Sequence, residues 1–125
     1  MIDLIQDIHG IRVLVCAPEG APLATEQDAL DLIGLGLGEG ADLVAMPVGR
    51  LSADFFHLRT GLAGAIVQKF VNYGLRLVIL EDLSARLAQS ASLRAFVVEA
   101  NAGTHLNFVA DLAALEEMLG RVPGQ

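Results

Sequence analysis

Thr60 is the residue whose type and position in this sequence suggest a specific chemistry. It follows Arg59 and precedes Gly61, where an apolar run predicts the start of a helix. A hydroxyl at a helix N-terminus accepts hydrogen bonds from the unpaired amide groups of the first turn. A phosphate on that hydroxyl would be stabilised by the same amides and by the neighbouring guanidinium. Two interpretations therefore stand, a structural helix cap and a phosphorylated regulatory site.

The segment before Thr60 contains further side chains that can bind a partner or a ligand. Asp54 is a carboxylate that can close a local turn through its side chain. Phe55 and Phe56 are adjacent aromatic residues in a predicted loop. We expect them either to anchor that loop on both sides of a bend or to place one ring in a groove for a partner. Asp54, Phe56, Arg59 and Thr60 are also the candidate walls of a small-molecule pocket.

The predicted helix at residues 61–73 has no polar side chain in its first two turns. A helix that is apolar all round is either buried on every side or in contact with another subunit. Gly61 and Gly64 each lower helix stability by roughly 1 kcal/mol relative to alanine, which close approach to the sheet or to a partner helix would justify. Asn72 and Tyr73 at the far end are predicted to be helix caps or part of an interaction surface.

The sequence contains no recognisable catalytic or metal-binding pattern. Its histidines, His9, His57 and His105, are far apart, and no pair has the spacing of metal ligands. Cys16 forms no motif with a histidine or a second cysteine, so we expect a small buried hydrophobic residue. We therefore expect no metal and no cofactor, and we lean towards a protein that is not an enzyme.

Composition predicts a soluble, cytoplasmic protein. The chain has 125 residues and a hydrophobic content of 54%, but its longest small or apolar run, residues 61–67, is too short to span a bilayer. The N-terminus lacks the basic residues of a signal peptide. Strands covered on both faces and an apolar surface shared with a second subunit would both accommodate this apolar content. We expect both, and hence a homodimer that does not associate with membranes.

The charge distribution argues against nucleic acid as a partner. The net charge is −7, whereas a phosphate backbone favours a concentrated basic face. Residues 1–49 carry eight acidic side chains and one basic side chain, and residues 50–94 carry six basic and three acidic side chains. The mildly basic middle suits an acidic protein partner or a small anion, although ordinary solvated charges explain it as well.

The apolar pattern predicts a β-hairpin at the N-terminus and a helix after it. Strands at residues 1–6 and 11–16 are joined by a turn at His9-Gly10. A capping box over residues 25–28 begins the helix. Four alternating glycines, at positions 34 to 40, are predicted to weaken and end this helix. Because they follow a helix rather than a strand, they do not form a dinucleotide-binding loop.

The rest of the chain alternates between strands and helices. Strands are predicted at residues 43–46, 75–80 and 105–109, each followed by a helix. Such alternation requires crossover connections, which build a largely parallel sheet. The predicted fold class is α/β: a single domain over residues 1–120, with a mostly parallel five-stranded sheet and about four helices. Residues 121–125 are predicted to be a frayed tail.

One long motif resembles the bacterial domain-of-unknown-function family 4180. The matching residues are 51–64 (LSADFFHLRTGLAG) and 68–73 (QKFVNY), together with Glu99, Asn101 and Phe108. The family typically has a glutamate where this chain has Ala65, so a reaction that used that carboxylate would be absent here. The resemblance covers most of the chain and implies no function.

The element order is also similar to STAS-type domains, the fold of anti-sigma-factor antagonists. In those domains a hydroxyl residue followed by glycine opens a helix, and its phosphorylation switches partner binding. Thr60-Gly61 occupies the comparable place, after a longer loop. The hypothesis is therefore a small regulatory or protein-interaction module whose contact surface is residues 51–64 and the helix that follows. The alternative is a small-molecule-binding domain or an enzyme with a pocket formed by residues 51–61.

Overall fold

A five-stranded sheet organises residues 3–120, the part of the chain that the computed structural model describes. Its strands, in spatial order, are β1 (Leu4–Ile8), β2 (Ile11–Val15), β3 (Leu43–Pro47), β4 (Arg76–Leu80) and β5 (Leu106–Val109). β1 is antiparallel to β2, and the other neighbouring pairs are parallel. The predicted α/β class, the N-terminal hairpin and the mostly parallel five-stranded sheet are confirmed.

Five helices connect and cover these strands. They are α1 (Glu26–Gly38), α2 (Leu62–Asn72), α3 (Ser84–Gln89), α4 (Ala91–Ala102) and α5 (Leu112–Gly120). The sequence pattern did not predict α3, which contains no buried residue and contacts the larger core through the partly buried Leu87. None of the helices within residues 3–120 is both long and apolar enough to cross a bilayer.

The hairpin turn forms where the sequence predicted it. His9 and Gly10 have φ angles of 53° and 83°, and two successive positive φ values characterise the tight turn that suits a twisted hairpin. The Asp7 carboxylate accepts a hydrogen bond of 3.0 Å from the Gly10 N–H group. β1 extends to Ile8, two residues beyond the predicted end. The first two residues of the predicted strand and the predicted tail at 121–125 lie outside the described residues.

The predicted capping box begins α1. The Thr25 hydroxyl accepts from the Asp28 N–H group, and the Asp28 carboxylate accepts from the Thr25 N–H group, each at 3.0 Å. The alternating glycines do not interrupt this helix, which ends only before Gly40, where φ is 74°. One of them, Gly36, is needed for close packing, because a Cβ atom there would lie 3.2 Å from the Leu75 side chain.

Both faces of the sheet are covered, as expected from the apolar content. One face carries the larger core, in which residues such as Leu14, Val44 and Leu77 pack against α1, α2 and α4. On the other face, Val13, Leu43, Ala45 and Val78 pack against α5 through Leu115. Since side chains alternate between the faces of a strand, β3 from Leu43 to Met46 is fully buried.

Candidate functional site

The segment between β3 and α2 is an ordered series of three short 3₁₀ turns. These cover Val48–Arg50, Ala53–Phe56 and Leu58–Thr60, where the sequence pattern predicted an irregular loop. The Ser52 hydroxyl caps the second turn by accepting from the Asp54 N–H group at 3.2 Å. The cap that sequence reasoning assigned to the Asp54 side chain is therefore supplied by Ser52.

Thr60 joins the last of these turns to α2. Its hydroxyl oxygen lies 2.9 Å from the His57 carbonyl oxygen and 3.2 Å from the Asp54 carbonyl oxygen, and it accepts from the Leu62 N–H group at 3.2 Å. The helix begins one residue later than predicted, because Gly61 is its N-cap residue with φ of 74°. The capping hydroxyl thus comes from the residue before the N-cap, and its side chain remains exposed.

The two phenylalanines hold the segment against the body of the domain. Phe55 is buried in the larger core, and Phe56 is half-buried at its margin. The rings meet edge to face, with centroids 5.5 Å apart and an interplanar angle of 74°. The Arg86 guanidinium lies 4.3 Å from the centroid of the Phe56 ring, in the geometry of a cation–π contact. This arrangement matches the predicted role of loop anchors.

The outer side of the segment is polar and exposed. It is formed by Asp54, His57, Arg59 and Thr60, which we call the polar ridge. The Asp54 carboxylate lies 3.5 Å from Nδ1 of His57, and these side chains are 63% and 69% exposed. Exposed pairs of this kind contribute little to stability. The side chains of Asp54 and His57 can therefore exchange this contact for contacts with a partner.

The apolar start of α2 is not buried on every side. Ala63, Ile66 and Phe70 face the core, whereas Gly64 is exposed, and a Cβ atom there would meet no other atom within 4 Å. The alternative of complete burial within the domain is therefore wrong. Beside Gly64, α2 and α4 border a cavity of about 340 Å³ with a largely apolar lining.

The polar residues at the C-terminal ends of the helices have local roles. Asn72 accepts a hydrogen bond of 2.8 Å from the Gln68 amide one turn earlier, while Tyr73 is 53% exposed. The Asn101 side chain instead crosses to β5, where it binds both backbone groups of Phe108. Both asparagines thus make hydrogen bonds at helix ends, and of the two only Asn101 links a helix to the sheet.

A second cavity, of about 490 Å³, lies beyond the carboxyl ends of β2 and β3. Its most buried polar side chain is Arg50, which is 6% exposed and lies 2.8 Å from the Asp3 carboxylate. The Arg50 guanidinium also donates to the carbonyl oxygens of Ala17 and Ala21, at 3.3 Å and 3.1 Å. Gly20 lies so close to the Arg50 guanidinium that a Cβ atom at position 20 would be 2.5 Å from Arg50 Cζ. The polar ridge lines neither cavity.

Sequence reasoning missed Arg50 and Asp3 as components of a site. Arg50 resembles an ordinary surface base in the sequence, and its partner is 47 positions away. The antiparallel orientation of β1 brings Asp3 to the edge of the sheet where the parallel strands end. This proximity follows from the topology and has no signal in local residue spacing.

Cys16 lies at the end of β2, beside the Arg50–Asp3 pair. Its side chain is buried, as predicted. Burial, with a smaller contribution from the Asp3 carboxylate, raises the pKa of the Cys16 thiol to about 12, against an opposing effect of Arg50. The thiol is therefore protonated at neutral pH and is not a nucleophile. Within residues 3–120, no group of three or more histidine, cysteine, aspartate or glutamate side chains is arranged to hold a metal ion.

Comparison with known proteins gives one match. A family model described as Domain of unknown function (DUF4180) matches residues 8–119. No curated protein matches the chain, and no solved structure does. The matched range contains the polar ridge, α2 and both asparagines at the helix ends. The family description assigns no activity to any of these residues.

Proposed function

This chain belongs to the family described as domain of unknown function DUF4180, and from the geometry of its 51–61 segment we propose that it is a protein-interaction module. Its contact surface is the polar ridge together with the first turns of α2. The observation that carries this proposal is that the ridge is exposed yet held in place by backbone turns, the Thr60 hydroxyl and the buried Phe55 ring.

An ordered, exposed ridge is better suited to a protein surface than to a small ligand. Small ligands bind in concave, mostly apolar sites, and Asp54, Phe56, Arg59 and Thr60 line neither of the cavities described above. A surface that is already ordered loses less conformational entropy when a partner binds. The geometry therefore supports the interaction module over a pocket formed by residues 51–61.

Thr60 is the proposed point of regulation. A phosphate on its oxygen would remove the proton that the hydroxyl shares with the His57 and Asp54 carbonyl groups. It would also place about −1.5 to −2 charges beside Arg59. Phosphorylation would thus change both the shape and the charge of the ridge. The similar element order of STAS-type domains, which are switched at a comparable position, supports this part of the proposal by analogy.

A second copy of the chain is the first partner to test. The outer side of α2 at Gly64 is exposed and open enough for another helix to approach. Self-association would cover the small apolar side chains at the start of α2, because an apolar helix face is stabilised by packing against another surface. Analytical ultracentrifugation over a range of concentrations shows whether the domain self-associates or whether its partner is a different protein.

Affinity capture from the native host tests the proposal with a matched pair of variants. Arg59 on the ridge and Glu116 on α5 are both exposed, and neither makes a side-chain hydrogen bond among those found in residues 3–120. We expect Arg59→Glu to lose a specific protein that the wild type and Glu116→Arg retain, and Thr60→Ala to weaken its recovery. Binding is then measured with the purified pair. Recovery of the same proteins with all variants would refute the proposed surface.

A further inference from the structure

The cavity beyond β2 and β3 is a separate candidate site, because no side chain of the polar ridge lines it. Its volume of about 490 Å³ falls within the range of small-molecule pockets. Parallel sheets bind ligands beyond the carboxyl ends of their strands, which is where this cavity lies. Its apolar lining includes Leu32, which is 8% exposed, and Leu35, which is 46% exposed, so the cavity can hold an apolar ligand body.

The polar lining of this cavity carries an excess of negative charge. Asp3 neutralises Arg50 through their 2.8 Å contact, and Arg50 alone is basic among the described lining residues. Three further carboxylates, those of Glu19, Asp28 and Asp31, also line the cavity. The Ala24 backbone N–H group, more than any other contact, holds the pKa of Asp28 below its ordinary value. The backbone N–H groups at the start of α1 offset part of the Asp28 charge, and the lining as a whole keeps an excess of negative charge.

Arg50 also leaves hydrogen-bond donors available to a ligand. Its three hydrogen bonds use Nε and Nη1, and Nη2 donates to no atom of residues 3–120. A ligand oxygen in the cavity can accept from Nη2, while the Asp3 carboxylate keeps the local charge of the pair near zero.

We propose that this cavity binds a small organic cation, a protonated primary amine on an apolar body with an oxygen acceptor. The apolar body contacts Leu32 and Leu35, the ammonium group is attracted by the carboxylates of Asp28 and Asp31, and the oxygen accepts from Arg50. Small anions are disfavoured because the same carboxylates repel them. The site is independent of the protein-binding ridge and does not require it.

A matched series of three ligands tests the charge preference. At about pH 6, below the pKa of its α-amino group, L-phenylalaninamide is a cation. At that pH 3-phenylpropanamide is neutral and 3-phenylpropanoate is an anion, and all three have a similar apolar body. Binding to the full chain is measured by calorimetry and by NMR shifts at low ionic strength, where charge effects are least screened. We expect the cation to bind at least threefold more tightly than the neutral amide, and the anion to bind weakest. Equal binding of all three, stronger binding of the anion, or no binding would overturn the proposal.

Variants of exposed side chains then locate the site. Asp31 is exposed, and its hydrogen bond is to the Gln27 amide on the same helix, so Asp31→Asn should leave the fold intact. We expect Asp31→Asn to weaken cation binding about threefold, the scale of one exposed charge interaction, and to leave the neutral amide unchanged. Glu116→Gln on α5 and Arg59→Glu on the ridge should have no effect. An unchanged affinity in Asp31→Asn, or equal weakening in Glu116→Gln, would place the cation elsewhere.

Discussion

The side-chain amide of Asn101 binds the free edge of β5 at Phe108. Its oxygen accepts from the Phe108 N–H group at 2.7 Å, and its Nδ2 donates to the Phe108 carbonyl oxygen at 3.3 Å. The carbonyl oxygens of His105 and Val109 instead accept from the N–H groups of Leu77 in β4 and Glu81 just after it. Phe108 therefore presents its backbone groups to the outer edge, where Asn101 occupies the position of a further strand.

Removing this contact should destabilise the domain and expose a strand edge. Asn101→Ala deletes two hydrogen bonds, each with a typical net contribution of about 0.5–1.5 kcal/mol, so we expect the free energy of unfolding to fall by about 1–3 kcal/mol. Because an unpaired edge promotes association between chains, the variant should also aggregate sooner on heating. Urea denaturation and light scattering measure the two effects. Asn72→Ala is the control, since Asn72 bonds only within its own helix; equal effects would contradict the assigned role.

Truncating Arg50 should leave the Asp3 carboxylate without its charged partner in a largely buried position, where the Ala17 N–H group still donates to it at 2.9 Å. Asp3 is 15% exposed, and breaking a buried ion pair on one side typically lowers stability by about 3–5 kcal/mol. We expect Arg50→Met to fall near the lower end of that range in urea denaturation. The double variant Arg50→Met, Asp3→Asn should recover part of the loss. A double variant as unstable as the sum of the two single variants would show that the ion pair is not the cause.

The Thr60 hydroxyl should contribute to the order of the 51–61 segment as well as to stability. Thr60→Val keeps the shape but removes the bonds to His57, Asp54 and Leu62, so we expect a loss of about 1 kcal/mol. Hydrogen exchange at the Leu62 amide should become faster. Thr60→Ser restores the hydroxyl and should restore slow exchange. If Thr60→Val keeps slow exchange and Thr60→Ser loses it, the methyl group rather than the hydroxyl holds the segment.

Cys16 should make stability fall at alkaline pH. Its pKa is about 12 in the folded chain against the ordinary value of 9.0, so the unfolded chain loses the proton first. The contribution of Cys16 to the free energy of unfolding is therefore complete below about pH 9. It is lost as the pH rises from 9 towards 12, and the free energy of unfolding falls by up to about 1.4 kcal/mol per pH unit. Urea denaturation at pH 8, 9 and 10 should show this slope in the wild type and a smaller slope in Cys16→Ala. If the free energy of unfolding falls equally with pH in the wild type and in Cys16→Ala, Cys16 is not the cause.

Features that depend on neighbouring residues could be predicted from the sequence. The turn at His9-Gly10 and the capping box of Thr25 and Asp28 are set by contacts within a few residues, and both form as expected. The apolar run at Leu43–Met46 correctly indicated a strand buried on both faces. A loop of mixed polar and apolar character was predicted at residues 49–59, but its 3₁₀ turns were not.

Features that depend on topology could not be predicted in this way. Arg50 and Asp3 meet because an antiparallel first strand begins where β3 ends, and neither residue type signals burial. The contact of Asn101 with Phe108 depends on how α4 lies against the last strand of the sheet. Asn101 and Phe108 are both part of the sequence motif that resembles the family, but the contact between them is apparent only from the backbone geometry.

Site-specific photo-crosslinking tests the central claim, that the polar ridge contacts a protein partner, most directly. A benzophenone amino acid is introduced at His57 on the ridge, which is 69% exposed, and at Glu116 on α5 as the control. After irradiation in the native host, we predict a crosslinked product of one discrete mass at position 57 that is absent at position 116 and lost in the presence of Arg59→Glu. No product at position 57, or the same product at both positions, would contradict the account.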